Sequence, residues 1–355
     1  MTLADRIPAV ALDVAQNVVD KAVLGGVADL RRMPRDAVTG SPAATLHRYR
    51  PIAGVPVLDA PPVLLVPPLG APDFAYDLRR GCSLVQHLLA TGRTVYLVDY
   101  GPIRFADRAL GMEHWVDDVV PRAVRDTARD TGAEGVDLLG WSLGGIFCML
   151  ATAADLTLPI HTLTVIGSPV DIAAVPLVAP LRPLAAVTGG LGLSAVYQAI
   201  GSFPAPLVSW AFQLTAVDRL ITKPLTVLSR LDDRDCLAQI EAVDFMMTHM
   251  RGYPGRVFGQ IYHLLLRSND LADGTLDLAG RTIALKEIDV PVLVVGGEND
   301  VIAPLPAVER VVDLLTGSPE VRFESAPGGH LGVLTGRRAR ATTWVHVDDF
   351  LTAHT

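Results

Sequence analysis

Ser142 stands in the run Gly140-Trp141-Ser142-Leu143-Gly144-Gly145, between an apolar stretch ending VDLLG and a helical pattern. A sharp strand-to-helix turn flanked by glycines tolerates close backbone approach, so the serine oxygen projects above a sheet and the next N–H faces a developing oxyanion. A serine hydroxyl is a poor nucleophile until a base takes its proton, so this reading requires a histidine and an acid farther along the chain. Asp300 closes VPVLVVGGEND (290–300), and His330 follows VRFESAPGG (321–329), where Gly328 and Gly329 free the backbone to aim a ring. Asp300 would orient the imidazole and stabilise its charged form, while His330 would take the proton from Ser142 and return it to the leaving group. A strand-end Asp can instead cap a helix and a loop His can be merely solvated. Three such residues in the order Ser, Asp, His, each after an apolar run, favour the catalytic reading.

The Leu143 N–H is the first expected oxyanion donor. The second is expected after an early strand, in Val66-Pro67-Pro68-Leu69-Gly70, where the prolines have no N–H and Leu69 or Gly70 is the first donor; Leu69 is selected. Other reactive residue types take structural readings. Cys148, six positions after Ser142, is expected as a small core residue, Asp99 as a loop hydrogen-bond acceptor, and His249 and His263 as satisfied or solvated ring nitrogens. No His/Asp/Glu spacing suggests a metal and no glycine-rich loop a nucleotide phosphate, so no resident cofactor is expected.

The elements that must position these groups follow from hydrophobic patterning. Near-continuous apolar runs at Pro62–Val66, Thr94–Val98, Val136–Gly140, Leu163–Ile166, Val290–Val295 and Val321–Phe323 read as strands buried on both faces of a parallel sheet. Helical patterns at Ser83–Ala90, Glu113–Arg129, Leu143–Ala154 and Leu305–Leu315 lie between them. The expected architecture is an α/β fold with a mostly parallel central sheet, helices on both faces and an inserted cap. Its parts are an N-terminal helical segment (1–60), a core (61–171 and 289–355) and the cap (172–288), where the strand–helix rhythm stops. In the N-terminal segment Val10, Val14, Val18, Val19 and Val23 recur at helical spacing opposite Asp20 and Lys21, giving a face that can lie on a core or a partner. Between Arg182 and Asp218 runs a charge-free apolar stretch, broken by Gly189, Gly190, Gly192, Pro204 and Pro206; it suits a cap over an apolar pocket or a lipid- or polymer-facing surface better than a membrane span.

Length and composition agree. The chain has 355 residues, 50% hydrophobic and 19% charged, which excludes a disordered charged tail and allows two domains or one large domain with an insertion. A net charge of −8 without a basic run excludes nucleic acid as an expected partner. Three cysteines (Cys82, Cys148 and Cys236) without C-x-x-C spacing argue for a reducing, cytoplasmic setting, and Asp5, Asp13 and Asp20 interrupt any secretory signal.

With those residues in hand, the chain resembles the polyhydroxyalkanoate synthases, especially the shorter catalytic subunits that work with a second subunit. The similarity covers roughly residues 60 to 350 and is carried by PPLGAPDFAYDL (67–78), SLVQHLLATGRTVYLVDYG (83–101), DLLGWSLGG (137–145), GSPVD (167–171), YPGRVFGQIYHLLLRSNDLADG (253–274), GRTIALKEIDVPVLVVGGENDVIAP (280–304) and GGHLGV (328–333). The resemblance implies an α/β-hydrolase core with a mobile cap, and the same acid and base roles for Asp300 and His330. It departs at the centre, because those synthases carry Cys where this chain has Ser142. Transfer of an acyl group from a thioester to Ser runs downhill and leaves an oxygen ester, whose further transfer to an alcohol gains little while transfer to water still gains. The expected function is therefore a serine hydrolase or acyltransferase acting on acyl esters or acyl-CoA thioesters, hydroxyacyl or fatty acyl, with coenzyme A as part of the substrate. A working polymer synthase and a non-catalytic granule- or lipid-surface protein are the alternatives. The expected partners are that substrate, a lipid or polymer-granule surface, and a second copy of the chain in a homodimer.

Overall fold

The computed structural model describes residues 13–21, 23, 25–40, 44–176, 202–203 and 217–355. Eight strands form its main sheet: β1 (Arg35–Gly40), β2 (Thr45–Tyr49), β3 (Val63–Val66), β4 (Val95–Asp99), β5 (Val136–Trp141), β6 (Ile160–Ile166), β7 (Val292–Gly297) and β8 (Val321–Ala326). Their spatial order is β1-β2-β4-β3-β5-β6-β7-β8, parallel from β4 to β8 and antiparallel at β1–β2 and β2–β4. All six expected strands are present, and the alternation of their side chains explains why the runs are apolar throughout. Leu64, Leu138, Val165 and Val294 enter one core; Val63, Leu139, Ile166 and Val295 enter the other, on the opposite face.

Helices α1 (Leu84–Ala90) and α5 (Thr343–Ala353) fill the second core, while α2 (Val120–Thr131) and α3 (Leu143–Ala154) fill the first. The Ser83 hydroxyl caps α1 by accepting from the Gln86 N–H at 2.9 Å, which satisfies one of the donors a helix start leaves open. Helix α3 is buried along nearly its whole length, with Ile146, Phe147, Met149 and Leu150 at 2% exposure or less, so it acts as a fixed post behind Ser142.

Two expectations about organisation change. Residues 35–40 and 45–49, expected inside an N-terminal helical segment, are β1 and β2 and extend the sheet at its antiparallel edge. The interval 172–288 does leave the sheet between β6 and β7, but its last part belongs to the core: Leu271, Leu276, Leu278, Ile283, Leu285 and Ile288 are buried in the first core. Packing places the end of the insertion near Asn269. That residue adopts a left-handed conformation (φ 64°), accepts from the Ile172 N–H at 2.7 Å and donates to Asp171 at 2.8 Å, joining the insertion's two ends.

Residues 13–21 are helical as expected, but the helix presents a different face. Val18, Val19 and Val23 are exposed, whereas Asn17 and Asp20 are buried against the insertion's helix α4 (Arg234–Thr248) and the turn before it. Asn17 donates to the Leu231 carbonyl at 2.8 Å, Arg234 pairs with Asp20 at 2.5 Å, and Lys21 with Glu241 at 2.7 Å. Directional polar contacts set the docking here, so of the two expected uses of the valine face, packing on the core is not the one seen. Val10 and most of the charge-free stretch between Arg182 and Asp218 lie outside the described residues. Among those described, no helix is long and apolar enough to cross a membrane.

Candidate active site

The parallel strands β5, β7 and β8 end on the same side of the sheet, and the residues just beyond them converge. Ser142 follows β5 with φ 55° and ψ −126°, a conformation that non-glycine residues seldom adopt. The flanking glycines make it attainable. A Cβ on Gly140 would come within 2.5 Å of Gly145 Cα, one on Gly144 within 2.3 Å of the Val66 carbonyl oxygen, and one on Gly145 within 2.1 Å of Ser168 Oγ. Three glycines thus let α3 start directly against β3, β5 and the turn after β6, and the serine is pushed out of the helix axis. Ser168, which no sequence signal singled out, donates to the Ser142 carbonyl at 2.9 Å and steadies the turn.

The expected acid and base meet the serine. His330 Nε2 lies 2.9 Å from Ser142 Oγ and His330 Nδ1 lies 2.7 Å from Asp300 Oδ2, with the Asp300 and His330 side chains 0% and 6% exposed. The carboxylate accepts at Nδ1–H, which leaves the Nε2 lone pair facing the serine hydroxyl, and this tautomer can draw the hydroxyl proton. Asp300 is held in turn: its Oδ1 accepts from the Ile302 and Ala303 N–H groups, each at 2.9 Å. Trp141 holds the other partner, donating from Nε1 to the His330 carbonyl at 3.1 Å with its ring 5.3 Å from the imidazole. Gly167, at φ 56°, passes beside the Asp300–His330 pair, where a Cβ would touch both at 3.6 Å.

Leu143 begins α3, so its N–H is among the first donors of a helix, which have no intrahelical acceptor. Leu69 lies in the turn after β3, buried, and its N–H has no acceptor among the described residues. The structural readings of the remaining residues agree with their surroundings. Cys148 is fully buried, which pushes its thiol well above its ordinary value. His249 is exposed and faces the Phe245 carbonyl at 2.7 Å. His263 packs edge-on against Tyr262. Asp99 accepts from the Gly101 N–H at 2.9 Å, and also from Arg251, a partner that the sequence did not indicate.

A cavity of about 290 Å³ lies away from these groups, between the antiparallel edge and α2, with Leu46, Val98, Arg122 and Asp126 in its walls. Its charged residues are spent on one another, Arg122 on Asp118 and Arg129 on Asp126, and none of Ser142, Asp300 or His330 reaches it. Among the described residues, no group of three or more His, Cys, Asp or Glu could hold a metal.

A mostly parallel sheet between two helical layers, with a strained serine between a strand and a helix, defines an enzyme of the α/β-hydrolase and acyltransferase type. Its sequence is polyhydroxyalkanoate synthase-like: it is 28% identical to the poly(3-hydroxyalkanoate) polymerase subunit PhaC of Allochromatium vinosum, over 86% of this chain and 85% of that one. The corresponding subunit of Thiocystis violacea is 25% identical over 86% of this chain and 84% of its own length. No protein-family model matches the chain. Among solved structures, the mouse alpha/beta hydrolase domain-containing protein 10 superimposes with a TM-score of 0.51 over 91% of this chain and all of that one, at 15% identity, a likeness of fold.

Proposed function

We propose that this chain transfers acyl groups from esters or acyl-CoA thioesters, hydroxyacyl or fatty acyl, through an acyl-Ser142 intermediate. The observation that carries the reading is the unbroken path from Ser142 Oγ through His330, at 2.9 Å, to Asp300, at 2.7 Å. His330 takes the Ser142 proton as Oγ bonds to the acyl carbon, and the negative charge gathers on the carbonyl oxygen. The Leu143 and Leu69 N–H groups are assigned to that oxygen. Collapse breaks the bond to the leaving group, which departs with the proton from His330. In the second half, water or an alcohol gives its proton to His330 as it attacks the acyl carbon; the bond from that carbon to Oγ then breaks and His330 returns the proton to Ser142. Asp300 keeps the imidazole in the needed tautomer and stabilises its charged form throughout.

Hydrolysis is the favoured second half, because an acyl-serine gains free energy on transfer to water and little on transfer to another alcohol. A polymer synthase is the second reading, supported by the polymerase subunits that resemble this chain over 86% of its length. On either reading a granule or lipid surface and a second copy of the chain are proposed partners. The cytoplasmic setting expected from the cysteines goes with them, all three being free thiols. Incubation with 3-hydroxybutyryl-CoA, following free thiol and then product size, decides between the readings. Ser142-dependent CoA release with free acid alone marks a hydrolase, and release with high-molecular-weight polyester marks a synthase. No release, and equal release from Ser142→Ala, each reject the acyl-serine mechanism for this substrate.

A further inference from the structure

Residues 250–254 return from the insertion directly over the turn that carries Leu69. The Arg251 N–H donates to the Gly70 carbonyl at 2.8 Å, and its guanidinium reaches Asp99 Oδ1 at 2.7 Å and Asp73 Oδ1 at 3.2 Å. Two residues on, Tyr253 presses against Gly70: a Cβ at Gly70 would lie 2.9 Å from the Tyr253 ring and hydroxyl. The three charged side chains are largely buried, 18% to 22% exposed, so they hold one geometry better than a surface pair would. Burial acts to raise the Asp99 pKa, but hydrogen bonds from His47 and Arg251 outweigh it and hold the carboxyl well below the usual range. Asp73 is held from its other side by Arg35.

The rest of the turn is pinned as well. Tyr76 donates to the Val66 carbonyl at 2.9 Å, Tyr100 to the Pro67 carbonyl at 3.0 Å, and the Ala71 N–H to the Pro68 carbonyl at 3.1 Å. The Pro68–Leu69 peptide bond is trans, so the Leu69 N–H points opposite to the Pro68 carbonyl, and fixing one fixes the other. Helix α3 abuts the same turn at Gly144, where a Cβ would meet the backbone of Val66 and Pro67. One donor, buried and without an acceptor among the described residues, is therefore left beside the start of α3.

We infer that Arg251 is a positioning residue for the oxyanion hole. From the insertion it clamps Gly70, Asp73 and Asp99, and so aims the Leu69 N–H at the acyl oxygen on Ser142. The inference rests on the acyl-serine reading and deepens it, because it makes the insertion part of the charge-stabilising machinery as well as a cover.

The test compares the intact enzyme with Arg251→Ala, Arg251→Lys and Asp99→Asn on a p-nitrophenyl acyl ester, with circular dichroism and Tm recorded for each. A misplaced donor acts on the transition state, so Arg251→Ala is expected to lower kcat by about 30-fold while KM stays within about threefold. Arg251→Lys is expected to recover part of the loss, and Asp99→Asn to lower kcat by about fivefold through the same contact. Should Arg251→Ala fail to fold, the other two variants carry the test on the same criteria. Unchanged kcat in a folded variant, or a loss confined to KM, overturns the inference alone. Absence of Ser142-dependent turnover in the unaltered enzyme overturns the acyl-serine reading and this inference with it.

Discussion

Among the described residues the sheet carries a cluster of aspartate, histidine and hydroxyl at each end, and in only one of these two does the imidazole stand between the carboxylate and the hydroxyl. Beyond the carboxyl ends of the strands, Asp300 spends Oδ1 on two backbone N–H groups and keeps Oδ2 for His330, whose second nitrogen faces Ser142 Oγ. At the opposite ends, Asp137 of β5 lies 3.0 Å from His161 Nδ1 and accepts from Thr162 Oγ1 at 2.8 Å, both through Oδ1. There the hydroxyl is bonded to the carboxylate and the imidazole does not stand between them. A carboxylate, with an ordinary pKa near 4, is a far weaker base than imidazole near 6.5, so the Thr162 proton stays where it is. Thr162 also sits within a strand, paired with Asp137 just past a register shift, whereas Ser142 is thrust out of its turn. The functional groups are the same, and the order of the hydrogen bonds separates the proposed reactive site from the other cluster.

Breaking the upper chain has the largest expected effect. Ser142→Ala should lower turnover of an activated ester by about 10⁴-fold or more, while His161→Ala keeps turnover within about twofold; a comparable loss in both would erase the contrast. Asp300→Asn should cost about 10³- to 10⁴-fold, because the amide N–H₂ facing Nδ1 imposes the wrong tautomer although the oxygen that accepts from the Ile302 and Ala303 N–H groups survives; kcat against pH measures it. Gly144→Ala drives a methyl into the Val66 carbonyl, and turnover is expected to fall about 100-fold with a loss of about 2 to 4 kcal/mol in urea unfolding. At the lower end the effects are on stability. Thr162→Val should cost about 1 to 2 kcal/mol with kcat unchanged, read from denaturant midpoints and initial rates.

The smallest effect is a matter of pH. The Asp137 hydrogen bond raises the His161 pKa, against the opposing pull of desolvation. A raised folded value means that the stabilisation is fully present below the unfolded value, about 6.5, and fades as pH rises through the folded one. The Tm difference between the unaltered chain and His161→Gln should therefore be widest near pH 5 to 6 and close by about pH 9. A difference that grows with pH would show that the pair holds His161 neutral.

The parallel half of this molecule was legible because burial on both faces leaves unbroken apolar runs, and because Ser142, Asp300 and His330 each follow such a run. The antiparallel edge was not legible. In Arg35–Gly40 and Thr45–Tyr49 the apolar residues are Ala37, Val38, Leu46 and Tyr49, scattered among polar ones that an edge strand can leave half-exposed. In helix 13–21 the periodicity of the valines could not say that Asn17 and Asp20 make the contact with the rest of the chain. Arg251 could not be found from spacing at all: Asp99 and Asp73 lie 152 and 178 positions away, and a single arginine among 30 basic residues carries no local pattern. The register of Asn269 with Asp171 and Ile172 was hidden for the same reason.

The left-handed turn at Ser142 bears on how this chain would respond to selection for heat resistance. With φ at 55° and ψ at −126°, the position suits a residue without a side chain, and holding serine there costs about 1 to 3 kcal/mol. Ser142→Gly would relieve that strain and raise the melting temperature while removing the proposed nucleophile. A library screened for thermal survival alone would therefore be drawn toward inactivity at this codon, and should be screened for turnover at the same time.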